Sequence, residues 1–148
     1  MTMRLAQFDL VKPRFSSQDP RMKEFYDSTD YINSLAEQHE GFIWRDTDDA
    51  QGLLDALCGP GYLYTLSLWK DVESLRQFLY ETPHRKFLKR GSEWFLPLSQ
   101  PRVVLWWVKE GYIPTLQEAC DRLTYLYDFG PSHHAFDLRH CYIPTVLY

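Results

Sequence analysis

The chain has 148 residues, of which 45% are apolar and 24% charged, a composition typical of one globular domain, residues 1–148. A net charge of −4 at pH 7 argues against nucleic acid as a partner, and no apolar run approaches the length of a membrane span. Because no apolar signal-peptide block follows the first residues and the three cysteines lack a Cys-x-x-Cys spacing, we expect a cytoplasmic protein without a disulfide framework or zinc site.

The first half of the chain predicts two strands separated by a helix. Residues 4–11 alternate loosely and favour a strand. Asp19 and Pro20 are a cap and a first helical residue, and apolar residues then recur at helical spacing until Gly41. Residues 42–47 predict a second strand, and residues 48–61 predict a polar loop or hairpin connection.

The second half predicts two more strands and a helical region between them. Residues 62–69 alternate clearly and indicate the third strand. A helix capped by Asp71 follows, breaks at Pro83 and resumes as a short helical turn over residues 83–90. The β-branched and aromatic run at 102–108 predicts the fourth strand.

The C-terminal part predicts a third helix and a tail. Thr115 and Glu118 have the spacing of a capping box, and Gly130-Pro131 ends the helical pattern. Residues 132–148 have no period and predict an irregular tail that wraps the body or a partner chain. The element order β-α-β-β-α-β with an appended helix predicts an α+β, ferredoxin-like fold.

The faces of the predicted sheet raise the question of what covers them. A ferredoxin-like sheet has helices on one face, and the second face would carry Thr65, Ser67 and Trp69. An identical sheet from a second copy would cover that face, which predicts a homodimeric α/β barrel with a pocket in each subunit.

Several polar strand residues are candidates for substrate contacts. Asp9, Thr65 and Ser67 must be hydrogen-bonded if they point into a closed barrel, because an unpaired buried polar group costs about 1–3 kcal/mol. They contact either a substrate or one another together with structural water. An inward Arg45 needs a partner too, either Asp9 or an anionic ligand.

His84 is the first candidate for chemistry. It is the histidine placed between two predicted helical pieces and beside aromatic residues. A neutral imidazole acts as a base near neutral pH or binds haem iron. The alternative is structural: His84 caps a helix or bonds a backbone carbonyl at the helix break.

Several motifs are distributed along nearly the whole chain. They include Leu5-Ala6-Gln7-Phe8, Gly41-Phe42-Ile43-Trp44-Arg45, His84-Arg85-x-Phe87-Leu88, Glu93-Trp94-Phe95 and Leu105-Trp106-Trp107-Val108. Together these motifs resemble the DUF3291 family, which has no established reaction. The family is usually grouped with the dimeric α/β-barrel superfamily, which includes antibiotic-biosynthesis monooxygenases and haem-degrading monooxygenases. The resemblance therefore implies the same fold and a homodimer, and function only by analogy.

Haem-degrading members of that superfamily use a histidine, a first-strand amide and a nearby tryptophan. The resemblance implies that His84 is this histidine, Gln7 the amide, and Trp94 or Trp69 the ring. No cofactor is firmly expected, and haem remains one alternative.

These observations predict an enzyme that acts on a small apolar or aromatic, polyketide-like molecule, by a monooxygenase-like reaction or as a proton-transfer isomerase or cyclase. His84 would move protons, Arg45 with Ser67 or Thr65 would hold a developing oxyanion, and three tryptophans would wall the substrate: Trp69, Trp94 and Trp106. Two alternatives stay open: a haem-binding or haem-degrading protein with His84 as axial ligand, and a non-enzymatic ligand-binding or stress protein.

Overall fold

A computed structural model of the protein, described here for residues 2–144, contains one four-stranded antiparallel sheet and six helices in that range. The strands are β1 (Met3–Val11), β2 (Phe42–Arg45), β3 (Leu63–Trp69) and β4 (Val103–Lys109). The helices are α1 (Lys23–Gln38), α2 (Gln51–Cys58), α3 (Val72–Glu81), α4 (His84–Lys89), α5 (Gly91–Trp94) and α6 (Leu116–Phe129). The strand order β2-β3-β1-β4 is that of a ferredoxin-like sheet, so the predicted α+β fold with an appended C-terminal helix is confirmed.

The predicted helix starts are formed by side-chain caps. Asp19 accepts a hydrogen bond from the backbone N–H of Arg21 and opens a short 3₁₀ turn, Pro20–Met22, that leads into α1. Asp71 and Thr115 likewise accept from backbone N–H groups at the starts of α3 and α6. These caps satisfy N–H groups that have no partner within the helix.

The predicted loop at residues 48–61 is wrong, because it contains α2. Gly52 and Gly59 suggested a loop, yet Gly59, at φ 89°, only ends the helix. Leu54 is fully buried in the core beside residues of α6. Tertiary packing, which local sequence does not reveal, therefore stabilises this short helix.

Both faces of the sheet are covered by helices of the same chain. The face that carries Ser67 and Trp69 lies under α1 and α3, whereas the opposite face, with Phe8 and Leu66, packs on α2 and α6. The expectation that the Ser67 face needs a second copy as cover is therefore wrong. The homodimer itself is not tested by this arrangement and stays a prediction.

The C-terminal tail runs along the edge strand β4. The backbone N–H groups of Leu105 and Phe136 each donate to the other residue's carbonyl, at 2.7 and 2.9 Å, and the indole of Trp107 donates to the carbonyl of Tyr142. These bonds pair backbone groups that an edge strand otherwise exposes. The described part of the tail thus wraps the body, while residues 145–148 lie outside the described residues.

Among the helices of residues 2–144, none combines the length and the apolar character that crossing a membrane requires.

Candidate functional site

A cavity of about 680 Å³ lies between the sheet and the helices α1, α3, α4 and α5. All predicted site residues except Trp106 line it: Gln7, Asp9, Arg45, Thr65, Ser67, Trp69, His84 and Trp94. Alternation along β1 and β3 explains much of this result, because residues two apart on a strand face the same side. Aromatic and aliphatic residues from the helices, among them Phe25, Ile32 and Phe78, form much of the remaining wall.

Trp106 does not contribute to this cavity. It is 0% exposed and packs in the core on the opposite face of the sheet, with the guanidinium of Arg122 over its ring. The expectation that it walls a substrate is therefore wrong. Its neighbours Leu105 and Trp107 belong to the face on which the cavity lies.

A directional row of hydrogen bonds crosses β1 and β3 along the cavity floor. The indole N–H of Trp69 donates to Ser67 Oγ at 2.9 Å, and the Ser67 hydroxyl donates to Gln7 Oε1 at 2.7 Å. The amide of Gln7 in turn donates to Thr65 Oγ1 at 3.4 Å. The indole of Trp69, the hydroxyl of Ser67 and one amide N–H of Gln7 thus donate within the protein, whereas the hydroxyl proton of Thr65, an exposed residue, is available to a ligand.

The expected ion pair between Arg45 and Asp9 is not formed. Arg45 donates from Nε to Glu37 Oε1 at 2.8 Å, because β2 places it near the end of α1. Asp9 instead has Arg102 Nε at 3.5 Å from its Oδ1.

Sequence reasoning missed Arg102, which also lines the cavity. The sequence pattern identifies Arg102 only as the first residue of the predicted fourth strand. Its carbonyl accepts from the N–H of Leu10, which brings it beside the end of β1 and hence beside Asp9. The antiparallel pairing of the first and last strands was the signal available for this contact.

The carboxylate of Asp9 is poorly compensated. Its Oδ1 is buried and has no hydrogen-bond partner. Burial raises the pKa of Asp9, and the positive charge of Arg102 opposes that rise. The carboxylate is thus held beside a cavity by one cation at the limit of ion-pair distance.

His84 lies at the start of α4, with its ring centroid 4.8 Å from that of Phe78. It does not cap the helix, and its Nδ1 is buried without a hydrogen-bond partner. Burial lowers the pKa of His84, the nearby carbonyl of Leu79 opposes this, and the charge of Arg102 lowers it further. The lowered pKa favours the neutral imidazole at pH 7, which can act as a base or a metal ligand through the nitrogen that bears no proton.

The segment formed by α4 and α5 closes one side of the cavity and is attached to α1 by Arg90. The Arg90 guanidinium donates to Glu24 at 2.6 Å and to Glu93 at 2.8 Å, and it lies over the ring of Trp94. Trp94 is itself only 2% exposed and lines the cavity. The segment is joined to α1 by these surface charges and by aromatic packing, because the ring of Phe25 lies 5.8 Å from that of Trp94 and 4.9 Å from that of Phe95.

Within residues 2–144, no group of three or more histidine, cysteine, aspartate or glutamate side chains has a geometry that holds a metal ion.

Comparisons with known proteins identify the family of the chain but not its function. No curated protein matches it. The crystal structure of PA3566 from Pseudomonas aeruginosa is 12% identical, covers 76% of this chain and 98% of its own, and has a TM-score of 0.48. A family model described as a domain of unknown function, DUF3291, matches residues 4–147. The chain therefore belongs to the DUF3291 family.

Proposed function

We propose that this protein is an enzyme that moves a proton on a small, largely apolar molecule, such as an aromatic or polyketide-like ketone. The observation that supports the proposal is a cavity of about 680 Å³ in which a neutral imidazole, a partly buried carboxylate and a guanidinium meet apolar walls. Apolar cavities with a few convergent polar groups and shifted pKa values are typical of ligand and catalytic sites.

The residues suggest an isomerase-like or cyclase-like sequence of steps. His84 Nε2 takes a proton from a carbon beside the substrate carbonyl, and the electrons of the broken C–H bond form an enolate. The hydroxyl of Thr65 and the guanidinium of Arg102 stabilise the enolate oxygen. The protonated His84 then returns its proton to another carbon atom, so that the base is regenerated.

The stabilising roles in this proposal differ from those expected from sequence. Arg102 replaces Arg45, because Arg45 already donates to Glu37. Thr65 is preferred to Ser67, because the Ser67 hydroxyl donates to Gln7. Trp69 and Trp94 remain as walls that exclude water.

Exchange of carbon-bound hydrogen in D₂O tests the proposal. A naphthyl 1,3-diketone serves as the probe, and NMR follows the loss of its proton signal. We expect the wild-type protein to accelerate exchange, and His84→Gln to reduce the acceleration by about 100-fold. His133→Gln, in the tail, is the matched control and is expected to behave as wild type.

Calorimetry of probe binding separates the alternatives. His84→Gln is expected to bind the probe with similar affinity, because the amide keeps most of the side-chain volume. Binding without any acceleration of exchange by the wild-type protein contradicts the enzyme proposal and favours a ligand-binding role.

Haem binding, in which His84 would hold the iron, is a second proposal. The observations that favour it are a partly buried imidazole and a guanidinium, that of Arg102, which line the same cavity and would hold the iron and a propionate. Haem would supply an iron that binds and activates oxygen. Hemin added to the protein should show a shifted Soret band that His84→Ala abolishes, and an unshifted band rejects this proposal.

A further inference from the structure

We infer that Cys58 and Cys120 form a reversible disulfide site, on the side of the sheet opposite the main cavity. Cys58 is the last residue of α2, and Cys120 lies in α6. Their Sγ atoms are 3.1 Å apart although 62 positions separate them in the chain. A disulfide bond measures about 2.05 Å, so the two sulfurs have to approach by only about 1 Å.

A second cavity gives an oxidant access to this pair. It has a volume of about 310 Å³ and is lined by both cysteines together with Leu10, Tyr62 and Tyr127. Cys58 is partly exposed, whereas Cys120 is 6% exposed. An oxidant therefore meets the sulfur of Cys58 first.

The chemistry is thiol–disulfide exchange with a small disulfide such as glutathione disulfide. Cys58 loses its proton and its sulfur attacks one sulfur of the oxidant, which forms a mixed disulfide and releases one glutathione. Cys120 then loses its proton and attacks Cys58, which forms the protein disulfide and releases the second glutathione. Two protein S–H bonds are thus exchanged for one S–S bond, while the oxidant is reduced to two thiols.

The surroundings of Cys120 favour this order of steps. Burial raises the pKa of Cys120, and the neighbouring Cys58 raises it further, as hydrogen-bond partner and through its charge. A buried thiol with a raised pKa reacts poorly with a soluble oxidant. Cys120 therefore reacts second, with the mixed disulfide on Cys58, because that sulfur lies 3.1 Å away.

The disulfide would connect the two helices that cover one face of the sheet. It closes a long segment of chain, which restricts the unfolded state more than the folded one. The oxidised protein should accordingly unfold at a higher temperature than the reduced protein. This inference does not depend on the proposed function, since the pair lies outside the main cavity.

The test uses the full-length protein equilibrated with glutathione disulfide. Thiol titration, intact mass and peptide mapping identify the products. We expect a Cys58–Cys120 linked peptide that dithiothreitol releases, and in Cys141→Ser the thiols counted in denaturant should fall from two to none. Cys141→Ser is the matched control, because Cys141 is exposed in the tail, and it should form the same linked peptide.

Two single variants test the order of the steps, and each gives its own result if the other does not fold. Cys120→Ala should stop at a mixed disulfide, with one glutathione on Cys58, and Cys58→Ala should leave Cys120 unreacted. A wild-type protein that keeps both thiols, or that retains glutathione on Cys58 without forming the linked peptide, overturns the inference. A linkage through Cys141 to either cysteine also overturns it.

Discussion

At the residue scale, Asp9 places a carboxylate on a sheet face that helices cover. Its side chain is 23% exposed, and Arg102 at 3.5 Å is its neighbouring cation. A carboxylate in this position costs free energy unless a positive charge or a proton compensates it. A site that retains such a group is a candidate for chemistry, because shifted carboxyl pKa values accumulate where ligands bind.

Removal of the Arg102 charge should destabilise the protein, because no cation then compensates the Asp9 carboxylate. We expect Arg102→Met to lower the free energy of unfolding by about 1–3 kcal/mol at neutral pH, because Asp9 is left without a cation. Asp9→Asn in the same protein should restore most of this loss. Urea unfolding of the two single variants and the double variant measures the coupling. Losses that simply add in the double variant would show that the two side chains do not interact.

The neutral state of His84 predicts a pH dependence of stability. Because burial lowers its pKa in the folded state, the unfolded chain binds a proton more readily. The contribution of the neutral His84 to the free energy of unfolding is fully present above pH 6.5, the ordinary pKa of histidine. It is lost as the pH falls below that value toward the lower pKa of the folded state. The slope reaches at most about 1.4 kcal/mol per pH unit.

Urea unfolding between about pH 5.5 and pH 7.5 checks this sign. The wild-type protein should lose stability toward the acidic end relative to His84→Gln, which cannot titrate. If the free energy of unfolding depends on pH in the same way in both proteins, the His84 ring is freely hydrated in the folded state.

At the element scale, the helices that enclose the cavity are held at close contacts and at surface charges. The closest contact joins the start of β2 to α3: a Cβ atom built on Gly41 would lie 2.1 Å from Ser74 Oγ. The α4–α5 segment, in contrast, is connected to α1 by the ion pair of Arg90 with Glu24. The first contact leaves no room for a side chain at residue 41, whereas the second lies at the surface.

Gly41→Ala should therefore destabilise the protein by about 1–3 kcal/mol through overpacking. Ser74→Gly in the same chain should recover part of that loss, because it removes the atoms that the new Cβ meets. Gly52→Ala is the control, since nothing lies within 4 Å of a Cβ at that helical position, and it should be neutral or stabilising. Thermal or urea unfolding measures the stability of the wild type and of the three variants. If Ser74→Gly does not recover any of the loss, the steric explanation is rejected.

Arg90→Ala should loosen the α4–α5 segment without unfolding the protein. We expect faster amide hydrogen exchange in residues 84–94, measured by mass spectrometry, with little change in the rest of the described chain. Lys23→Ala is a suitable control, because Lys23 pairs with Asp27 inside α1 and not across elements. Equal exchange in both variants would show that Arg90 does not hold the segment closed.

At the scale of the whole molecule, one chain covers both faces of its own sheet. The core on one face includes residues of α2 and α6, and the core on the other includes residues of α1 and α3. Folding therefore does not require a second copy, whether or not copies associate through another surface.

We accordingly expect the separated monomer to be folded. Sedimentation over a range of about 100-fold in protein concentration tests the predicted homodimer and identifies the concentrations at which single chains predominate. Thermal unfolding at those concentrations should still show one cooperative transition. Loss of cooperative unfolding in the monomer would mean that a partner chain contributes to the fold.

Local sequence patterns are sufficient to predict the four strands, the principal helices and the residues that share a face of the sheet. Period-two alternation placed Gln7 and Asp9 on one side of β1, and the caps at Asp19 and Asp71 marked helix starts. Such signals act over a few residues, because they arise from backbone geometry and local hydrogen bonds.

Only the tertiary structure decided which elements meet. The contact of Arg102 with Asp9, the pairing of Arg45 with Glu37 and the approach of Cys58 to Cys120 all join segments that local patterns treat separately. The short helix α2 exists because its apolar side packs in the core, and its coverage of the sheet removes the stated need for a partner. Burial is a property of the whole packed chain, and for that reason periodicity indicates which residues share a face but not what covers that face.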